Sequence, residues 1–209
     1  MREVQTVFLV DDDAALRESM ALMLDQAGFR VRTFDSAQAF LEAYAGSDTG
    51  CLVLDLRMPG MNGLELQEAL QRKGLAPPII FLSGFGDIPA TVRAIKGGAV
   101  DFLEKPVAID TLIDRIRHSL EEDRRQRAAA SDRHLIRSLY ANLTPREREI
   151  MVLATKGLSN KEIAAHLGIS PRTVENHRAH VMEKMQADNI AELCHMAAVC
   201  LSQGEGPAA

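Results

Sequence analysis

Short apolar runs and helically spaced apolar positions take turns through residue 120. Residues 4–10, 30–34, 51–55, 78–82 and 100–103 are rich in β-branched and aromatic side chains and too short for helices. Between and after them, residues 14–27, 37–45, 63–72, 88–96 and 108–120 carry apolar side chains at three- and four-residue spacing, the mark of helices with one buried face. Five such β-α units predict a five-stranded, doubly wound parallel sheet of the flavodoxin-like kind. Asp13, Ser36 and Asp87 stand where helix N-caps belong, and Gly28 and Gly97-Gly98 where helices stop.

The pattern then changes. Residues 121–137 are rich in charge and helix formers and contain no proline or glycine, which predicts a helical, solvated linker. After it, Thr144-Pro145-Arg146-Glu147 and Ser159-Asn160-Lys161-Glu162 are capping boxes, Ser170-Pro171 opens a third helix and Asp188-Asn189 a fourth. The tight segment Leu167-Gly168-Ile169-Ser170 between the second and third predicts a helix-turn-helix. The expected organisation is an α/β domain over 1–121, a helical linker over 122–142 and an all-α four-helix domain over 143–209.

Composition supports two domains, since 209 residues with 46% hydrophobic content can fill two cores. Residues 1–122 hold 19 acids against 12 bases, whereas residues 123–209 hold 10 against 12. The positive excess lies mostly in the linker, because residues 143–209 hold eight acids and seven bases. Charge is therefore only a weak pointer to nucleic acid. Cys51, Cys194 and Cys200 lack zinc-type spacing and are expected to be reduced core thiols. The absence of a long apolar leader or span leads to the expectation of a soluble, cytoplasmic protein without membrane partners.

Candidate chemistry gathers at the strand ends. Asp11 and Asp12 close the first apolar run, Asp55 the third, Ser83 follows the fourth, and Lys105 follows the fifth before Pro106. Ligands bind outside the carboxyl ends of strands in an open parallel sheet, so these groups converge on one crevice. Crowded carboxylates need a cation, and hard oxygen donors suit Mg²⁺. The run Leu54-Asp55-Leu56-Arg57-Met58-Pro59-Gly60-Met61-Asn62-Gly63, with Ser83-Gly84 and Glu104-Lys105-Pro106, resembles the receiver domain of two-component response regulators. Leu143-Thr144-Pro145-Arg146-Glu147, Gly157-Leu158-Ser159-Asn160-Lys161-Glu162 and Ser170-Pro171-Arg172-Thr173-Val174-Glu175-Asn176-His177-Arg178 resemble LuxR/FixJ-type DNA-binding domains. Together the chain resembles FixJ-like response regulators of the FixJ/NarL/LuxR type.

That resemblance implies roles. Asp55 is the phosphoacceptor, Asp12, Asp55 and the Arg57 backbone carbonyl ligate Mg²⁺, and Asp11 acts through the metal's water shell. Lys105 and Ser83 face the phosphoryl oxygens, Ser83 through an exposed hydroxyl, and Phe102 takes the aromatic switch position. Pro106 resembles a cis-proline that aims Lys105. A sensor histidine kinase donates the phosphoryl group, and the receiver catalyses its own modification without being a turnover enzyme. Phosphorylation promotes a homodimer that binds double-stranded promoter DNA, with RNA polymerase as a further partner and activation of transcription as the favoured outcome.

In the third helix of the second domain, 100° per residue places Val174, His177, Val181 and Met185 on a core face and Arg172, Asn176, Ala179 and Glu183 opposite, with Glu175 at the edge. Asn176 suits adenine, Glu175 the cytosine amino group and Ala179 a thymine methyl. Lys161, Arg172, Thr173, Arg178 and Lys184 are expected at phosphates. Two rival readings are a Mg²⁺-dependent phosphohydrolase with an aspartyl nucleophile and a constitutive DNA binder with a vestigial receiver. Against the first, Asp11-Asp12-Asp13-Ala14-Ala15 enters a helix at once; against the second stands the full set of Asp55, Lys105 and Ser83.

Overall fold

The computed structural model describes residues 5–46, 49–84 and 88–201. Its chain divides into two units, residues 1–126 and 127–209.

In the first unit, β1 (Thr6–Val10), β2 (Arg30–Phe34), β3 (Gly50–Asp55), β4 (Ile79–Ser83) and β5 (Asp101–Glu104) form one sheet in the order β2-β1-β3-β4-β5. All four pairings are parallel, as the alternation of strands and helices predicts. β3 and β4 are buried on both faces, which is why they read as unbroken apolar runs. Phe8, Leu52, Leu54 and Phe81 enter one core layer, and Val7, Leu9, Val53 and Ile80 the other. The first layer is covered by α2 (Ala37–Ala43), α3 (Gly63–Arg72) and α4 (Ile88–Lys96), the second by α1 (Ala14–Gln26) and the start of α5 (Ile109–Ala141).

Asp13 and Ser36 are N-caps, each accepting from a backbone N–H three residues on. Asp87 lies outside the described residues. Asn62 also caps, in a reciprocal box with Glu65 that sets the start of α3. α5 runs 33 residues without a break, and Arg124 and Arg125 both pair with Glu121 along its exposed part.

In the second unit the last turns of α5 contribute Ile136 and Leu139 to a core shared with α6 (Pro145–Thr155), α8 (Pro171–Met185) and α9 (Ile190–Leu201). α7 (Asn160–Leu167) packs through Ile163 and Ala164 with Val174 of α8. Both expected capping boxes form, at Thr144/Glu147 and Ser159/Glu162, and Ser170 caps α8 with Pro171 in its first turn. Gly168, at φ 66°, makes the left-handed turn that joins α7 to α8 as a helix-turn-helix. Among the described residues no helix is long and apolar enough to cross a membrane.

Candidate phosphoacceptor site and nucleic-acid interface

The first site begins where four neighbouring parallel strands, β1, β3, β4 and β5, end. Asp11 continues the ladder, its backbone N–H donating to the Phe34 carbonyl (3.2 Å), and Asp55 closes β3. Beyond β5, the Lys105 N–H donates to the Ser83 carbonyl (2.6 Å), and the Lys105-Pro106 peptide is cis. Lys105 Nζ then lies 2.6 Å from Asp55 Oδ1 and 2.7 Å from Asp11 Oδ2. One ammonium thus joins two buried carboxylates that are 44 positions apart in the chain.

The remaining oxygens are also placed. Asp11 Oδ1 accepts from the Asp13 N–H (2.9 Å), and Asp55 Oδ2 from the Arg57 N–H (3.1 Å). Burial pushes the Asp55 carboxyl above the usual carboxylate range; Lys105 opposes this, and Asp11 adds to it. Burial also lowers Lys105, but its bonds to Asp11 and Asp55 prevail and hold the ammonium above its ordinary value. Asp12 is exposed at the mouth and makes no hydrogen bond among the described residues. Two buried carboxylates on one lysine, with Asp12 next in the chain, leave an excess of negative charge on hard oxygen donors, which fits a divalent cation such as Mg²⁺.

Ser83 departs from expectation. It is buried rather than exposed, because β4 runs one residue further than its apolar pattern and lies between β3 and β5. Phe102 is half-buried and stacks on Phe81, its register partner, with ring centroids 6.2 Å apart. Gly63 sets the spacing beside the acid. A Cβ there would meet the Asp55 carbonyl oxygen at 2.5 Å and the Phe81 ring at 2.9 Å, so only glycine lets α3 start this close.

In the second unit, α8 buries Val174, Val181 and Met185, and exposes Arg172, Thr173, Glu175, Asn176 and Ala179. His177, assigned to the core face, is only half-buried. Arg172 pairs with Glu175 at 2.9 Å, Thr173 Oγ1 lies 2.8 Å from Ser170 Oγ, and Arg178 donates to Asn160 Oδ1. Lys161 is exposed on α7.

Lys184 requires a correction. Expected at a phosphate, it points into the domain, where Nζ donates to both oxygens of Glu147 at 2.9 and 2.7 Å. Glu147 is buried at the first turn of α6 and also accepts from the Thr144 N–H. Burial alone would raise this carboxyl, yet Lys184 and Thr144 bring it down to about 2. The pairing spans two helices, which is why the residues of α8 alone do not announce it.

Comparison with known proteins gives a match to each unit. The response regulator receiver domain family matches residues 7–117, and the luxR family of bacterial regulatory proteins matches residues 141–197. The transcriptional regulatory protein FixJ of Bradyrhizobium diazoefficiens is 46% identical over 194 residues, covering 91% of this chain and 93% of that one. This chain belongs to the FixJ-like response regulators. Nodulation protein W of the same organism is 45% identical, over 91% of this chain and 84% of its own. Among solved structures, the response regulator StyR is similar with a TM-score of 0.82 and 44% identity, covering 93% of this chain and 98% of that one. As a family member, the chain is a phosphorylation-activated transcriptional regulator, pairing a receiver with a LuxR-type DNA-binding domain.

Proposed function

We propose that Asp55 is the phosphoacceptor, and that the observation carrying this is Lys105 held between Asp55 and Asp11. An Asp55 oxygen attacks the phosphorus of a phosphohistidine on a sensor histidine kinase. The phosphorus–nitrogen bond breaks, the imidazole leaves, and an acyl phosphate forms on Asp55. Lys105 neutralises charge on the transferring group, so the receiver catalyses its own modification. Asp11, Asp12, Asp55 and the Arg57 carbonyl would hold Mg²⁺, which supplies further charge neutralisation at phosphoryl oxygens when bound.

The buried Ser83 donates to the new phosphoryl group, and Phe102 reorients in the space it shares with Phe81. The readout is a homodimer. Exposed Val92, Ile95 and Val100, on α4 and before β5, support that face as the one remodelled. Functional boundaries follow as 1–121, 122–142 and 143–209, in the cytoplasm, with the second domain acting on promoter DNA beside RNA polymerase.

On DNA, Asn176, Glu175 and Ala179 face base edges, while Lys161, Arg172, Thr173 and Arg178 face phosphates. The Arg172–Glu175 pair does not oppose this, since exposed pairs are worth only about 0–1 kcal/mol and open readily. Asp55→Asn tests the acceptor: labelling by acetyl phosphate in Mg²⁺ should vanish, and equal labelling of variant and parent would reject the assignment. Asn176→Ala tests the reading helix. It should cost roughly 1–3 kcal/mol at preferred sites selected from random DNA and relax the base preference there.

A further inference from the structure

Glu147 on α6 and His177 and His180 on α8 offer three ligand atoms that all lie within 4.8 Å of one another. Neither the receiver chemistry nor base reading uses this group. We propose that Glu147, His177 and His180 form a binding site for a zinc-type divalent cation joining α6 to α8. The inference does not depend on which residues of α8 read DNA.

Spacing favours the two imidazoles acting together, because positions three apart on a helix share a face. Their chemistry differs from that of the receiver site. Two nitrogen donors and one carboxylate suit Zn²⁺, with water in the fourth position of a tetrahedron, whereas the all-oxygen set around Asp55 suits Mg²⁺. One protein would therefore discriminate two cations by donor type.

Glu147 is already arranged as a ligand. Its Oε2 is held by the Thr144 N–H at 2.8 Å, while Oε1 accepts from Lys184 alone among the described residues. Its carboxylate already holds a cation in the form of the Lys184 ammonium, at 2.9 and 2.7 Å. The metal takes the place of that ammonium. Lys184 can yield, since its side chain is 37% exposed and its flexible stem can carry the charge into water. Access comes through His180, which is exposed, with His177 half-buried behind it and Glu147 at the base.

The test is titration of the full-length protein with Co²⁺ and then Zn²⁺, with excess Mg²⁺ present to occupy the acidic receiver site. One equivalent of Co²⁺ should give visible d–d bands of a tetrahedral nitrogen/oxygen site, and one equivalent of Zn²⁺ should remove them. His180→Ala changes an exposed side chain and leaves the fold intact. It should weaken Zn²⁺ binding by more than about tenfold, since even outer-shell substitutions cost 10–100-fold. His166→Ala, at an exposed histidine outside the group, should bind like the parent. Binding that survives His180→Ala, or the absence of any tetrahedral Co²⁺ spectrum in the parent, would overturn the proposal.

Discussion

In the receiver one ammonium, Lys105, serves two buried carboxylates, Asp11 and Asp55; in the DNA-binding domain one ammonium, Lys184, serves Glu147, which is also held by Thr144. The same ingredients produce opposite states. Asp55 lies above the ordinary carboxylate range and Glu147 far below it. Burial acts upward on both, so the balance of partners decides: Asp11 works against Asp55, whereas everything touching Glu147 favours its charge. An acid left short of counter-charge is ready for a cation or a phosphoryl group. One whose partners all favour its charge fastens two helices.

The largest effect that would test this contrast is at Lys184. Lys184→Met leaves the Glu147 carboxylate buried with only its Thr144 donors, and should destabilise the second domain by about 3 kcal/mol. Denaturant titration followed on Met185 and Met196 methyl resonances of the full chain reads that domain separately. A change within error would mean the ion pair does little.

Glu147→Gln should cost less, about 1–2 kcal/mol, because the freed lysine can reach water and the amide oxygen can still accept from Thr144. Its sharper signature is in acid. A carboxyl near 2 when folded and 4.5 when unfolded contributes stability that is fully present above the unfolded value and is lost as pH falls through 4.5 towards 2. The second domain should therefore weaken over that window in the parent and much less in Glu147→Gln.

The receiver should respond with the opposite sign. Because folding raises the Asp55 carboxyl, its ionisation costs stability at neutral pH, and Asp55→Asn should stabilise the Mg²⁺-free receiver by up to about 1 kcal/mol while Lys105 stays paired with Asp11. Added Mg²⁺ should stabilise the parent more than the variant. A destabilised Asp55→Asn receiver in the absence of metal would break the comparison. Smallest is Lys161→Ala, which should leave stability unchanged and lower the slope of log affinity against log salt by about one unit, with base preference intact.

Much of this was legible in the sequence where one residue's neighbours along the chain dictate its state. The five strands, the boxes at Thr144 and Ser159 and the caps at Asp13 and Ser36 rest on period and local hydrogen bonding. So does the box at Asn62, whose Asn-x-x-Glu spacing is equally plain but was obscured by the proline- and glycine-rich loop before it. What sequence could not provide depends on pairing across the fold. That Asp11 is buried and Asp12 exposed follows from the extra ladder bond of Asp11 to Phe34. That Ser83 is buried follows from its strand lying inside the sheet. Lys184 and Glu147 meet across 37 positions and two helices, and no periodicity announces such a meeting. His180 has no signal in the sequence, since its partners come together only once α6 and α8 pack.

Gly63 carries no charge and donates no side-chain group, yet a methyl there would sit only 2.5 Å from the Asp55 carbonyl oxygen. A survey of substitutions scored only by polarity would rank it among the inert positions. It instead acts as a spacer whose tolerance is measured in tenths of an ångström: any side chain there must push α3 or β3 aside, and the Asp55 carboxylate would move with the strand. Inheritance of acceptor chemistry in this chain therefore depends on keeping an empty place as well as on keeping its acids and lysine.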